Sequence, residues 1–91
     1  MPRKQLRPQD ASNEGVRQVR EALLRMSSAA LARLLACDPS SVRRVAREER
    51  APSPEMRERY RKVLGTPPTA WESAPTLDAY ETEIAPTRPR R

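Results

Sequence analysis

A chain of 91 residues with 36% hydrophobic content and no phenylalanine has material for one domain with a small, mostly aliphatic core. Zero histidines and a single cysteine, Cys37, exclude the common zinc ligand sets, histidine-based catalysis and an internal disulfide. The formal net charge is +6, and of 18 basic residues all but Lys4 and Lys62 are arginine, a bias that suits a polyanionic partner.

Residues 1–13 are polar, carry Pro2 and Pro8, and read as a flexible basic arm whose groove-reaching residues would be Arg3, Lys4 and Arg7. Over 14–26, Val16, Val19, Leu23 and Met26 recur at helical spacing, with Arg17, Arg20, Glu21 and Arg25 on the other face. Ser27 and Ser28 break this stripe and supply the N-cap of a second helix over 28–36, with Leu31, Leu34 and Leu35 facing the core and Arg33 outward. Asp38 is a strong N-cap, and Pro39 is a favoured first helical residue. The third helix runs to about Arg47 or Glu48, with Val42 and Val45 inward and Ser40, Ser41, Arg43, Arg44 and Arg47 outward.

After a loop over 50–53, Ser53 and Pro54 open a fourth helix with an apolar stripe of Met56, Tyr60, Val63 and Leu64, closed by Gly65 and Pro67. The run Arg57, Arg59, Arg61 and Lys62, interleaved with Glu55 and Glu58, reads as a solvated, ion-paired face. Thr66-Pro67-Pro68 starts a short turn or helix that delivers Trp71 to the core. A short helix over 76–84 would align Leu77, Tyr80 and Ile84, ahead of a disordered basic tail.

The reading is therefore all-α: a compact bundle of four to five short helices containing a helix-turn-helix, with flexible basic termini. The domain spans 14–74, between the arm over 1–13 and a C-terminal extension over 75–91. Two short helices joined by a tight turn, with arginines on the outer face of the second, form a device suited to the DNA major groove.

In order along the chain stand Leu31-Ala32, Leu35-Ala36-Cys37-Asp38, Val42 with Val45, Pro52-Ser53-Pro54 and the Trp of PPTAW. This ordered set, over about residues 14–72, resembles the lambda-repressor-like, Cro/CI-type (XRE family) helix-turn-helix domain. The resemblance implies phosphate contacts by Ser27 and Ser28 at the start of helix two. It implies outward, DNA-facing positions for Asp38, Pro39, Ser40, Arg43 and Arg44, of which Pro39, Ser40, Arg43 and Arg44 are the base-contacting candidates. It also implies phosphate contacts by Arg47 and Arg50, to which Arg33 and Ser41 are added from their outward positions. Three departures stand out: the turn glycine is Ala36, a frequent glutamate is Ala46, and a later glycine is Glu48. Asp38 is an unfavourable charge near DNA unless its capping bond holds it back.

Arg43 and Arg44 are each suited to bidentate bonding to guanine O6 and N7, worth about 1–3 kcal/mol of discrimination per good pair. Cys37 reads as a small buried hydrophobe in preference to a redox sensor, and Tyr60 and Trp71 as core in preference to base-stacking platforms.

Three functions compete. The first is a sequence-specific double-stranded DNA-binding transcriptional regulator, a repressor acting as a homodimer on a palindromic operator. The resemblance implies the dimer, and one recognition helix at about 39–48 reaches few base pairs. The dimer candidates are Leu77, Tyr80 and Ile84, with helix four as the alternative surface. The second is an antitoxin, or a phage or plasmid accessory protein, that binds a protein partner through the C-terminal segment. The third, an enzyme, is not expected: there is no nucleophile–base pair and no metal set, and Gly15 and Gly65 are too few for a phosphate-cradling loop. No cofactor is expected. With neither a signal-peptide run nor a membrane-length apolar stretch, the expected location is cytoplasmic, in a bacterial, phage or plasmid-encoded setting.

Overall fold

In a computed structural model that describes residues 6–78, each helix begins where a side chain satisfies its first backbone N–H groups. The helices are α1 (Glu14–Leu23), α2 (Ser28–Leu35), α3 (Pro39–Ala46) and α4 (Pro54–Leu64), with single 3-10 turns at Pro8–Asp10 and Pro68–Glu72. Asn13 Oδ1 accepts from the Val16 amide at 2.8 Å, Ser27 Oγ from Ala30 at 3.0 Å, Asp38 from Ser40 at 3.2 Å and Ser53 Oγ from Met56 at 3.2 Å. Each such cap is worth about 1 kcal/mol. Pro39 and Pro54 follow their caps at the start of the helix, where a missing N–H costs nothing. The described residues are all-helical, without a strand.

The buried stripe of α1 (Val16, Val19, Ala22) meets Leu31, Ala32 and Leu35 of α2 and Val42, Val45 and Ala46 of α3. From α4 comes Tyr60, from the second 3-10 turn Trp71, with ring centroids 5.1 Å apart and planes tilted by 59°. The two aromatics are therefore core, as their spacing suggests. Trp71 lies directly on Gly15, where a glycine leaves room for the indole. Gly65 ends α4 at φ 75°, a conformation that glycine adopts without strain.

At the far end of the domain, residues 73–76 fold back over the start of α1. The Glu14 amide donates to Ser73 O at 2.9 Å. The Glu14 carboxylate accepts from Thr76 N at 2.6 Å as well as from Arg17 and Gln18. The hydrogen bond from Arg17, opposed by partial burial and helped by Gln18 and Thr76, holds this carboxyl at about 2 against an ordinary 4.5. A depressed carboxyl stabilises the fold above its unfolded pKa, and that contribution fades as pH falls from about 4.5 to about 2. Glu14→Gln is expected to flatten this part of the acid unfolding curve, read by circular dichroism; a slope unchanged from wild type would refute a native-state bias toward the ionised Glu14 carboxyl.

Several expectations are corrected. Helix α1 stops at Leu23 and not at 26: the amides of Arg25 and Met26 both turn back to Ala22 O, and Leu23 and Met26 still reach the core. Leu34 is 58% exposed. At about 100° per residue, Leu31, Ala32 and Leu35 define one buried arc, and Leu34 falls off its edge. The described part of the expected arm is not free: Pro8 and Ala11 are buried and Leu6 packs on the core. Thr76 and Leu77 are not helical, whereas Asp78 is; positions 79–84 of the helix expected over 76–84, Tyr80 and Ile84 among them, and the tail lie outside the described residues.

The turn between α2 and α3 places Ala36 at φ 57°, and the end of α3 places Glu48 at φ 62°. Both departures from glycine noted in the sequence thus fall on left-handed backbone. Ala36→Gly is expected to stabilise the fold by about 1 kcal/mol, measured by urea unfolding. A loss of stability would mean that the Ala36 methyl makes compensating contacts.

Candidate nucleic-acid interface

Helix α3 turns two opposite faces to two environments. Val42, Val45 and Ala46 are buried, and at about 100° per residue Ser40, Arg43, Arg44 and Arg47 fall on the far side. Arg43, Arg44 and Arg47 are exposed, while Pro39, Ser40 and Ser41 are half-buried. Ser27 and Arg33 on α2 and Arg50 in the following loop are exposed, and Ser28 is half-buried. The expected base-contacting and phosphate-contacting residues therefore come from three successive segments: the start and outer side of α2, the outer face of α3, and the loop beyond it. Ser41 departs from this face, since it turns toward α4.

The arginines divide by partner. Arg7, Arg17, Arg20, Arg57, Arg59 and Arg61 each reach a carboxylate, respectively Asp10, Glu14, Glu48, Glu72, Glu55 and Glu58. Among the described residues, Arg33, Arg43, Arg44, Arg47 and Arg50 form no ion pair; Arg25 and Lys62 are the other cations of that kind. Positive charge left uncompensated is thus concentrated on α2, α3 and the loop after α3.

Asp38 is the one acid at the head of this face. Its carboxylate accepts from the Ser40 hydroxyl and the Ser40 amide, which lower its pKa, and Arg43 and Arg44 add to the effect. The capping bonds keep the charge at the helix N-terminus. They also commit the Ser40 hydroxyl as a donor, so that toward an outside partner Ser40 Oγ offers only acceptor lone pairs.

Two arginines that the sequence pattern put on solvent faces hold this pair of helices from behind. Arg20 is 6% exposed. Its Nε donates to Ala46 O, the last residue of α3, at 2.8 Å, and its other nitrogens reach Arg7 O at 3.0 Å and Glu48 Oε2 at 3.4 Å. The Glu48 carboxylate also accepts from Ser12 N at 3.1 Å. Arg59 donates to Leu35 O, the last residue of α2, at 3.3 Å and to Ala36 O at 3.0 Å. Each guanidinium satisfies carbonyls at a helix C-terminus, where positive charge is also favoured. Nothing local in the sequence signals this: Ala36 and Glu48 close the backbone bonds Cys37 N to Ala32 O and Glu49 N to Arg44 O without glycine, and the later carbonyls find their donors only across the fold. Arg57, too, is more than a solvated charge, with Nη1 bonded to Glu72 at 3.0 Å and Pro68 O at 3.4 Å.

Cys37 is half-buried against the core, and burial pushes its thiol pKa up, the reverse of what a reactive thiolate requires. Among the described residues no group of His, Cys, Asp and Glu could hold a metal ion, and no helix is long and apolar enough to cross a membrane. Leu77, the described member of the three dimer candidates, is half-buried, and the outer side of α4, the alternative, carries the pairs Glu55–Arg59 and Glu58–Arg61. No protein-family model, curated protein or solved structure matches this chain.

Proposed function

We propose that this chain is a sequence-specific double-stranded DNA-binding transcriptional regulator of the lambda-repressor-like type, a repressor that binds a palindromic operator as a homodimer. The observation that carries the reading is the sorting of arginines: those on α1 and α4 are mostly neutralised by carboxylates, and those facing outward from α2, α3 and the loop at Arg50 are not. In this reading α3 enters the major groove, with Arg43 and Arg44 on guanine edges and Pro39 and Ser40 beside them. Ser27, Ser28, Arg33, Arg47 and Arg50 hold the phosphates, which set register without reading sequence. Leu77, Tyr80 and Ile84 form the dimer surface. The setting is the cytoplasm of a bacterium.

The test is selection from random duplexes at two salt concentrations. A two-fold-symmetric motif is expected, and Arg43→Ala and Arg44→Ala are each expected to cost about 1–3 kcal/mol and relax the motif at defined bases. Binding that is strongly salt-dependent but without a motif would reduce the role to an architectural one.

A second reading is favoured by Leu24 and Leu34, which are 68% and 58% exposed. It makes the chain an antitoxin or accessory protein whose main partner is another protein, held through the C-terminal segment, with these two leucines, which lie outside that segment, as additional apolar contacts. An absence of DNA binding at low salt would select it.

A further inference from the structure

The outer face of α3 changes character along the helix. Its second turn carries the donors Arg43 and Arg44, which form no ion pair among the described residues. Its first turn carries Ser40, opposite the buried Val42, Val45 and Ala46 and three and four residues before the two arginines. The Ser40 hydroxyl hydrogen is already spent on Asp38 Oδ2, which also accepts from the Ser40 amide at 3.2 Å. An ionised carboxylate has no hydrogen to give, so Ser40 Oγ keeps lone pairs only.

Asp38 is exposed, and both of these bonds fall on Oδ2; Oδ1 accepts none among the described residues. The two bonds from Ser40, with Arg43 and Arg44 adding to the effect, hold the carboxyl below its usual range, so it is charged at neutral pH. Pro39, between the two, has no polar side-chain group. The side chains of residues 38–40 therefore present acceptors and no donor, beside a negative charge.

Base edges sort against such a surface. In the major groove guanine and thymine present acceptors, adenine an acceptor beside its amino group, and cytosine its N4 amino group alone. The Asp38 charge repels the acceptors and attracts the amino group, which ranks cytosine first and adenine second.

We infer that Asp38 and Ser40 also read sequence, by accepting from the N4 amino group of a cytosine close to the guanines read by Arg43 and Arg44. The inference rests on the DNA reading above. Side chains three or four apart on a helix lie about 5–6 Å from each other, and bases stack at about 3.4 Å, so the cytosine falls within about two base pairs of a guanine. Opposite charges one turn apart also fix the register of α3 in the groove. Guanine is favoured under the second turn and rejected under the first.

The test is binding of the full chain to duplexes built on the motif that selection returns, with one base pair changed at a time. Each half-site is expected to hold a cytosine within two base pairs of a guanine. Its replacement by thymine or guanine should weaken binding about tenfold, and by adenine about threefold. Asp38→Asn keeps a capping side chain and should melt like wild type. Its preference for cytosine over thymine should nevertheless fall at least threefold, with the preferences at the guanines unchanged. Ser40→Ala should lower the same preference and no other. An unchanged cytosine preference in Asp38→Asn would leave Asp38 a helix cap alone and overturn the inference. A motif with guanines but no cytosine beside them would overturn it while the DNA reading stands. A chain that selects no motif at all would remove the sequence-specific reading, and this inference with it.

Discussion

Arg20→Met is expected to lower the unfolding free energy by about 3 kcal/mol, by leaving buried acceptors without their donor. The methionine fills much of the same space, so the loss is chiefly electrostatic. Ala46 O and Arg7 O lose donors at 2.8 and 3.0 Å, and the Glu48 carboxylate keeps only the Ser12 amide. Small domains hold roughly 0.05–0.15 kcal/mol per residue, so this single change removes a large fraction of the total. Urea unfolding followed by circular dichroism measures it. Arg25→Met, at an exposed arginine without an ion pair among the described residues, is the matched control and should stay within about 0.5 kcal/mol of wild type. If Arg20→Met does the same, the buried guanidinium is not holding α3. Arg20→Lys should not rescue it, because an ammonium lacks the planar fork that spans three acceptors.

Gly15→Ala is the second large effect, and here two terms oppose each other. Alanine in a helix interior is favoured over glycine by about 1 kcal/mol, so propensity alone predicts a more stable protein. A Cβ at position 15, however, would stand 2.3 Å from two ring carbons of Trp71. The indole is rigid and packs on Tyr60, so it cannot swing aside as a flexible chain end would. Overpacking of this kind costs about 1–3 kcal/mol, and a contact this short belongs near the upper end. The net expectation is a loss of about 2 kcal/mol, seen in the urea midpoint with the slope unchanged. A gain in stability would show that the second 3-10 turn yields easily. Replacing Trp71 by Leu in the same background should then relieve part of the loss, since a smaller side chain leaves room for the new methyl.

These two residues show where local reading stops. Gly15 sits in a helical stripe and looks like a weak helix former; only the return of the chain after α4 brings Trp71 onto it. Arg20 sits on the polar side of a helix and looks solvated. Its principal acceptor is 26 residues away, at the end of another helix. Leu34 errs in the other direction, since a leucine beside two core leucines looks buried until the packing of α2 on α3 defines the buried arc.

What the sequence by itself determined is the short-range part: four helices, their capping residues Ser27, Asp38 and Ser53, the glycine stop at Gly65, the inward pair Val42 and Val45, and the outward run Arg43, Arg44 and Arg47. Each of these rests on hydrogen bonds or periodicity within a few residues, and so is legible without knowing what lies opposite. The pairs of Arg17 with Glu14, Arg59 with Glu55 and Arg61 with Glu58 are also local, but the tertiary structure alone decided that Arg20, Arg57 and Arg59 are spent on distant acceptors. A guanidinium is equally at home in water, on a carboxylate or on a helix-terminal carbonyl, and only packing between distant segments brings such acceptors within reach.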